Sequence, residues 1–261
     1  MTTIDELREL FDRHERRACT LDGMRREEVP PVVRHIAGVG GRSMVLHSRL
    51  TADNADAVIQ REQAHFTALG HTLEWKLFSH DAPTDLMARL QARGFAIGER
   101  EATLVLDAEN LPARLRDPAP HEIRRITDPA MVAPLMDAVQ GRVFSHESQD
   151  WVSQMLAHNL RHHGDNLSIY AAYVDDRPVS AARVNFSAAS PFASLWGGAT
   201  LPEYRGRGIY SALVAVRVRE ALSRGVRYLY VDTSPMSRPI LEKLGFRHIA
   251  DTYPCVYPPA S

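Results

Sequence analysis

Arg205-Gly206-Arg207-Gly208 carries the strongest chemical signal in the sequence. Glycines free the backbone to approach a ligand closely. From Ile209 the chain turns strongly apolar, and charges return only at Arg217, Arg219, Glu220 and Arg224. That pattern starts a helix at Ile209 with its first half buried. The first amides of a helix are unpaired donors at the positive end of its dipole. Glycines leading into such an end make a phosphate-binding geometry, and Arg205 and Arg207 add formal charge beside it. Taken alone, the loop also fits a surface turn with two solvated arginines.

The elements that position this loop are legible on both sides. Residues 193–200 are small, aromatic and β-tolerant and read as a strand. Pro202 cannot continue a central strand. After the helix, residues 226–233 read as a buried strand and residues 234–244 as a second helix. Gly245-Phe246 ends that helix, and residues 246–257 read as a last extended segment.

This order of strand, glycine loop, helix, strand, helix, Gly-Phe and strand resembles the acyl-CoA N-acyltransferase superfamily, known as the GNAT family. The family's loop reads Arg/Gln-x-x-Gly-x-Gly/Ala. Here it reads Arg205-Gly-Arg-Gly208-Ile-Tyr210, with Tyr210 in place of the last small residue, and Leu244-Gly-Phe246 matches the family's end to its fourth helix. The likeness covers about residues 120–257.

The resemblance implies transfer of an acyl group, usually acetyl, from acetyl-CoA to an amine. It places the backbone of Thr200 and Leu201 against the pantetheine arm. It places the amides of Arg205, Gly206, Arg207, Gly208, Ile209 and Tyr210 around the pyrophosphate, with Ser234 also on the cofactor side. A protonated amine cannot attack a thioester, so a base or water chain must take its proton. Many members carry a glutamate on the strand before the loop, but residues 194–200 hold no carboxylate. Many carry a tyrosine four residues before the Gly-Phe, where this chain has Leu241. The remaining candidates are Asp232 at a strand end, His146 and Glu147 in the segment 140–147 where the family places acceptor residues, Glu203 after Pro202, and Tyr210, Tyr253 and Tyr257 as acids. Each also has a plain reading as a cap, a solvated loop residue or core, as does Trp196. Tyr210, replacing a small residue, is expected to reshape the cofactor site. His162-His163 are adjacent, so their rings diverge on a helix and no metal pair is expected.

The 261 residues are long for one average domain and short for two large ones. A net charge of −1 argues against a nucleic-acid or anionic-membrane surface. Two cysteines make no disulfide framework. The N-terminus lacks a signal-peptide core, and no run is long enough to span a membrane. A soluble cytoplasmic protein is expected.

The N-terminal half repeats the C-terminal order at the level of shape. Residues 3–18 read as an amphipathic helix, residues 32–36 and 43–50 as strands about the glycine cluster 38–41, and residues 52–69 as a helix capped by Thr51 and closed by Gly70. Residues 72–78 then read as a strand, 84–93 as a helix closed by Gly94-Phe95, and 102–107 as a strand. Leu90 precedes Gly94 as Leu241 precedes Gly245. The connection Arg49-Leu-Thr-Ala-Asp-Asn54 carries acid where phosphate would sit, so this lobe is not expected to bind coenzyme A.

The fold expected is α/β (α+β), with two tandem GNAT-like lobes. Each is a mixed, mostly antiparallel twisted sheet flanked by helices. The division places a degenerate lobe at 1–108, a Pro- and charge-rich linker at 109–120 and an N-acetyltransferase domain at 121–261. Within the latter, residues 121–126, 167–174 and 179–186 read as strands and 129–139 and 148–163 as helices. Two functions stay open: an N-acetyltransferase for a small-molecule or peptide amine, and a non-catalytic acyl-CoA-binding sensor. A tandem pair can satisfy within one chain a contact that single-lobe relatives make by dimerising, so a monomer is favoured.

Overall fold

Thr3 starts the first helix by a reciprocal cap. Its hydroxyl accepts from the Glu6 amide at 3.2 Å while the Glu6 carboxylate accepts from the Thr3 amide at 2.7 Å. Helix α1 (Ile4–Phe11) buries Leu7 and Phe11 and continues in wider turns through Arg17, where the Ala18 amide donates to Arg13 O. The widening turns Arg16 inward onto Asp81 at 2.6 Å.

The computed structural model describes residues 2–38, 41–116, 120–143 and 149–258. After α1 come β1 (Arg25–Val29), β2 (Val32–Ile36), β3 (Arg42–Ser48), α2 (Ala55–Ala68), β4 (Thr72–Phe78), α3 (Leu86–Ala92), β5 (Ala96–Ile97) and β6 (Glu101–Asp107). Then follow α4 (Ala113–Arg116), β7 (Glu122–Ile126), α5 (Val132–Leu135), α6 (Gln149–His162), β8 (Leu167–Val174) and β9 (Arg177–Phe186). The chain closes with β10 (Phe192–Thr200), α7 (Ile209–Ser223), β11 (Tyr228–Thr233), α8 (Arg238–Lys243) and β12 (Arg247–Tyr257). The fold class is the one the sequence implied, a mixed and mostly antiparallel α/β architecture flanked by helices. Strand β1 escaped the sequence reading because Arg25-Arg-Glu-Glu-Val29 has no apolar alternation, as suits an edge strand. Thr51 is not the cap of α2. Asn54 holds that position, and its side chain reaches back to the Thr51 amide at 2.8 Å.

The chain forms two compact units. In the first, the strand order is β1-β2-β3-β4-β12. Strands β3 and β4 are parallel, joined by α2, and β12 runs antiparallel to β4 from Thr252↔Phe78 to Tyr257↔Leu73. Leu73, Trp75, Phe66, Ile59, Leu90 and Cys255 fill its core. In the second, β7-β8-β9-β10 is an antiparallel meander and β11 lies parallel to β10, joined by α7. Val132, Leu135, Val139, Leu156, Ile169, Ala171 and Ala181 form one core cluster here.

The units do not follow the linear division expected from the sequence. The first comprises Met1–Thr103, Asp232–Met236 and His248–Ser261, and the second Leu104–Val231 and Ser237–Arg247. Pairing decides this. The last strand, β12, finds its partner in β4. The end of β6 is fixed in the second unit, where the Ala108 amide donates to Arg227 O at 2.9 Å and Arg227 pairs with Asp107 at 3.2 Å. The stretch expected as a bare linker carries α4, whose Leu115 is fully buried.

A chain ending at residue 247 should therefore lose the first unit, which it truncates only by one strand. Limited proteolysis should show new cleavage within residues 42–78, while protease resistance equal to the full chain would refute the pairing of β12.

Candidate functional site

The site is built where β10 ends. The β9–β10 register holds to Trp196↔Arg183 and resumes at Ala199↔Ala181, so Gly197 and Gly198 form a bulge, with Gly197 at φ +59°. Past the bulge Thr200 pairs with Ser180, and the Leu201 amide donates to Val179 O at 2.9 Å. Backbone groups of an antiparallel pair alternate in direction. The N–H and C=O of Thr200 therefore point away from β9, along the edge where the register with β11 has already ended at Ser194↔Tyr230. The Thr200 carbonyl takes Arg205 Nε at 3.1 Å, and among the described residues the Thr200 amide is left as an open donor. Leu201 differs from expectation in one respect, since its amide is spent on Val179.

A single tight turn follows, with the Tyr204 amide on Leu201 O at 2.9 Å. Gly206 and Gly208 then take φ +75° and +81°, in the left-handed region where side chains are strained. Gly208 caps α7 with no side chain, and the first helical bond runs from the Ala212 amide to Gly208 O at 3.0 Å. The amides of Ile209, Tyr210 and Ser211 thus have no partner within the helix. Both loop arginines brace the loop as well as charging it. Arg205 holds the strand end, and Arg207 donates to Glu203 O at 3.1 Å with its guanidinium over the Tyr204 ring. Beside the cap lies His121, whose Nε2 is buried without a partner and 3.6 Å from where a Cβ on Gly208 would stand.

The bulge is bare because large groups occupy the space of its missing side chains. A Cβ on Gly198 would meet the Tyr210 ring at 2.8 Å. A Cβ on Gly197 would meet Arg183 Nη1 at 2.7 Å and Gln140 Nε2 at 2.8 Å. Gln140 donates to Gly197 O at 2.7 Å, and the Arg183 guanidinium lies 6.0 Å from the Trp196 ring centre. Burial raises the Tyr210 pKa, so its phenol stays protonated through neutral pH.

The catalytic candidates fare differently. Asp232 belongs to the first unit. Its side chain is 2% exposed, with Oδ2 on the Lys76 ammonium and Oδ1 accepting from Thr103 Oγ1 at 2.6 Å. Burial opposes the charge on Lys76, but Asp232 overrides it and raises the Lys76 pKa. Asp232 is therefore held as a counter-ion rather than poised as a base. Tyr253 packs against the core of the first unit, and Tyr257 rests on Phe95 with ring centres 5.3 Å apart. Ser234 is exposed and also lies in the first unit. Glu203 pairs with Arg142 at 3.0 Å on the surface, and its own backbone amide, then Arg142, keep its carboxyl below the usual range. His146 and Glu147 fall outside the described residues. No motif marks His121, read only as the start of a strand, or Arg183 within β9. Gln140 at least heads the segment 140–147 singled out for the acceptor.

Residues 132–246 match the acetyltransferase (GNAT) family. Over 92% of its length the chain is similar to a GCN5-related N-acetyltransferase from Kribbella flavida, with 17% identity, 91% of that chain covered and a TM-score of 0.61. A conserved protein of unknown function from Staphylococcus epidermidis matches over 92% of this chain and 96% of its own, at 15% identity and TM-score 0.63. A tandem GNAT protein from the clavulanic acid biosynthesis pathway matches over 93% and 86%, at 13% identity and TM-score 0.58. At these identities the likeness is one of fold. No curated protein matches the sequence significantly. The family match runs from α5 through the bulge and the glycine loop to Phe246, so it is this stretch of the chain that carries the GNAT-family domain.

Proposed function

We propose that the second unit binds acetyl-CoA and transfers its acetyl group to an amine of a small molecule or peptide. One observation carries this reading. The open Thr200 amide stands at the start of a loop whose two left-handed glycines lead into the uncapped N-terminus of α7. An extended amide-bearing arm meets the former and a pyrophosphate the latter. His121 Nε2, orphaned beside Gly208, is a further donor for the phosphate in the tautomer that carries its proton there.

In the reaction the amine nitrogen attacks the thioester carbonyl carbon and the C–S bond breaks. The amine proton leaves, and the coenzyme A thiolate gains a proton. Tyr210, a half-buried phenol against Gly198 at the bulge, is the residue we assign as the donor to the thiolate. Asp232 is ion-paired and Glu203 is solvated and salt-bridged, so neither is assigned as the base, and a water chain is the route we assign to the amine proton. The same facts favour the second reading, an acyl-CoA sensor without turnover.

The first unit is a degenerate GNAT-like lobe in this account. Its parallel pair β3/β4 about α2 parallels β10/β11 about α7. Both lobes end a helix alike, with the Phe95 amide on Leu90 O and the Phe246 amide on Leu241 O, each at 3.1 Å after a left-handed glycine. Its connection Arg49–Asn54 has no glycine loop, so it completes the fold without holding coenzyme A. One chain supplies both lobes, and a monomer follows. No helix among the described residues is long and apolar enough to cross a membrane.

Gly208→Asp puts a strained backbone and a carboxylate at the phosphate position. Calorimetry should show acetyl-CoA binding weakened by more than about 2 kcal/mol, roughly thirtyfold, and unchanged affinity would overturn the site. Tyr210→Phe should bind acetyl-CoA as before while the rate of coenzyme A release with an accepted amine falls about 10²-fold. An undiminished rate would remove Tyr210 from the acid role, and intact binding with no turnover by any amine would favour the sensor.

A further inference from the structure

Two arginines stand inside the second unit with no carboxylate beside either among the described residues. Arg217 on α7 is 1% exposed, yet it is tied to the backbone through Leu213 O at 2.9 Å and Arg183 O at 3.1 Å. Arg183 on β9 has no such tie. Its Nε is buried without a hydrogen-bond partner, and its guanidinium lies against Gly197 and across from Trp196. Asn185, two residues along and so on the same face of β9, also has a buried and unpartnered Oδ1. A guanidinium desolvated without a counter-charge is costly, as is an orphaned amide oxygen. Burial, then the nearby Arg217 charge, pushes the Arg183 pKa down to about 10. The guanidinium still remains charged at neutral pH, and among the described residues no anion faces it.

The bulge explains where that anion belongs. Gly197 has no side chain, and Arg183 Nη1 and Gln140 Nε2 both lie over it. Gln140 is committed to Gly197 O, so it fixes the bulge and leaves Arg183 as the donor with unused capacity. The bulge lies one residue before Thr200, the residue whose amide faces the open edge. A ligand held by Arg183 is therefore one short chain segment from the strand end assigned to the acyl donor.

We infer that Arg183 is the anchor for an oxyanion on the amine acceptor, so that the substrate class is amines that also carry a carboxylate or phosphate. The inference rests on the acyltransferase reading, which supplies the amine. A guanidinium fork matches both oxyanions. The Asn185 oxygen is the complementary acceptor for a donor on the same ligand.

The test uses the full chain loaded with coenzyme A, which cannot react. Calorimetry compares β-alanine with β-alaninamide, 4-aminobutyrate with 4-aminobutyramide, L-phenylalanine with L-phenylalaninamide, and O-phosphoethanolamine with ethanolamine. At least one anionic member should bind about tenfold or more tighter than its neutral partner, and Arg183→Gln should remove that preference while coenzyme A affinity stays as in the parent. A preference among the acids alone assigns a carboxylate, and one for O-phosphoethanolamine alone a phosphate. No preference in any pair, or one that survives Arg183→Gln, overturns the anchor. The same pairs are titrated without coenzyme A. Failure of coenzyme A to bind then counts against the acyltransferase reading, and the anion preference still reads Arg183 on its own.

Discussion

An amide at the end of a strand must have a partner, and the geometry of β10 denies one to Thr200. Leu201 bonds back to β9, so Thr200 must face the other way. There the pairing with β11 has already stopped. The bulge at Gly197–Gly198 creates this condition, because it shifts the register by which the strand's last residues are aimed. Arg205 covers the Thr200 carbonyl and thereby also pins the glycine loop to the strand. Strand end, loop and α7 N-terminus are in this sense one device. Removing the bulge would re-aim Thr200, and removing the left-handed glycines would displace the helix amides.

The second consequence concerns which residues make each unit. A strand edge left open within a lobe is an aggregation hazard unless something pairs with it. In the first unit the outer side of β4 is taken by β12, the last strand of the chain. In the second, the end of β6 is fastened at the start of β11 by Ala108, Asp107 and Arg227. The first unit is thus finished by a strand from the far end of the sequence, and the second fastens its own first segment to β11. A first lobe without a phosphate loop still has a structural task.

Much of this was legible in the chain because it rests on local chemistry. Glycine next to charge before an apolar run announced α7 and its bare N-terminus. Leu-x-x-x-Gly-Phe announced the two matching helix ends. Alternation of apolar residues announced most strands, and failed at β1, where Arg25-Arg-Glu-Glu has none. Long-range pairing was not legible. Nothing in residues 247–257 says that their partner is residues 73–78. Asp232 looked available from its place at a strand end, whereas Lys76, 156 residues away in sequence, neutralises it. His121 and Arg183 belong to no motif and stand out only by an unpaired buried nitrogen, which is a property of three-dimensional surroundings.

The central claim is that the Thr200 amide and the first amides of α7 are open donors awaiting acetyl-CoA. Hydrogen–deuterium exchange of the full chain, with and without saturating acetyl-CoA, addresses it most directly. The account predicts slowed exchange at Thr200 and at Ile209–Ser211, with β7 and β8 unchanged. Bound acetyl-CoA that leaves residues 200–211 exchanging at their free rate would contradict it.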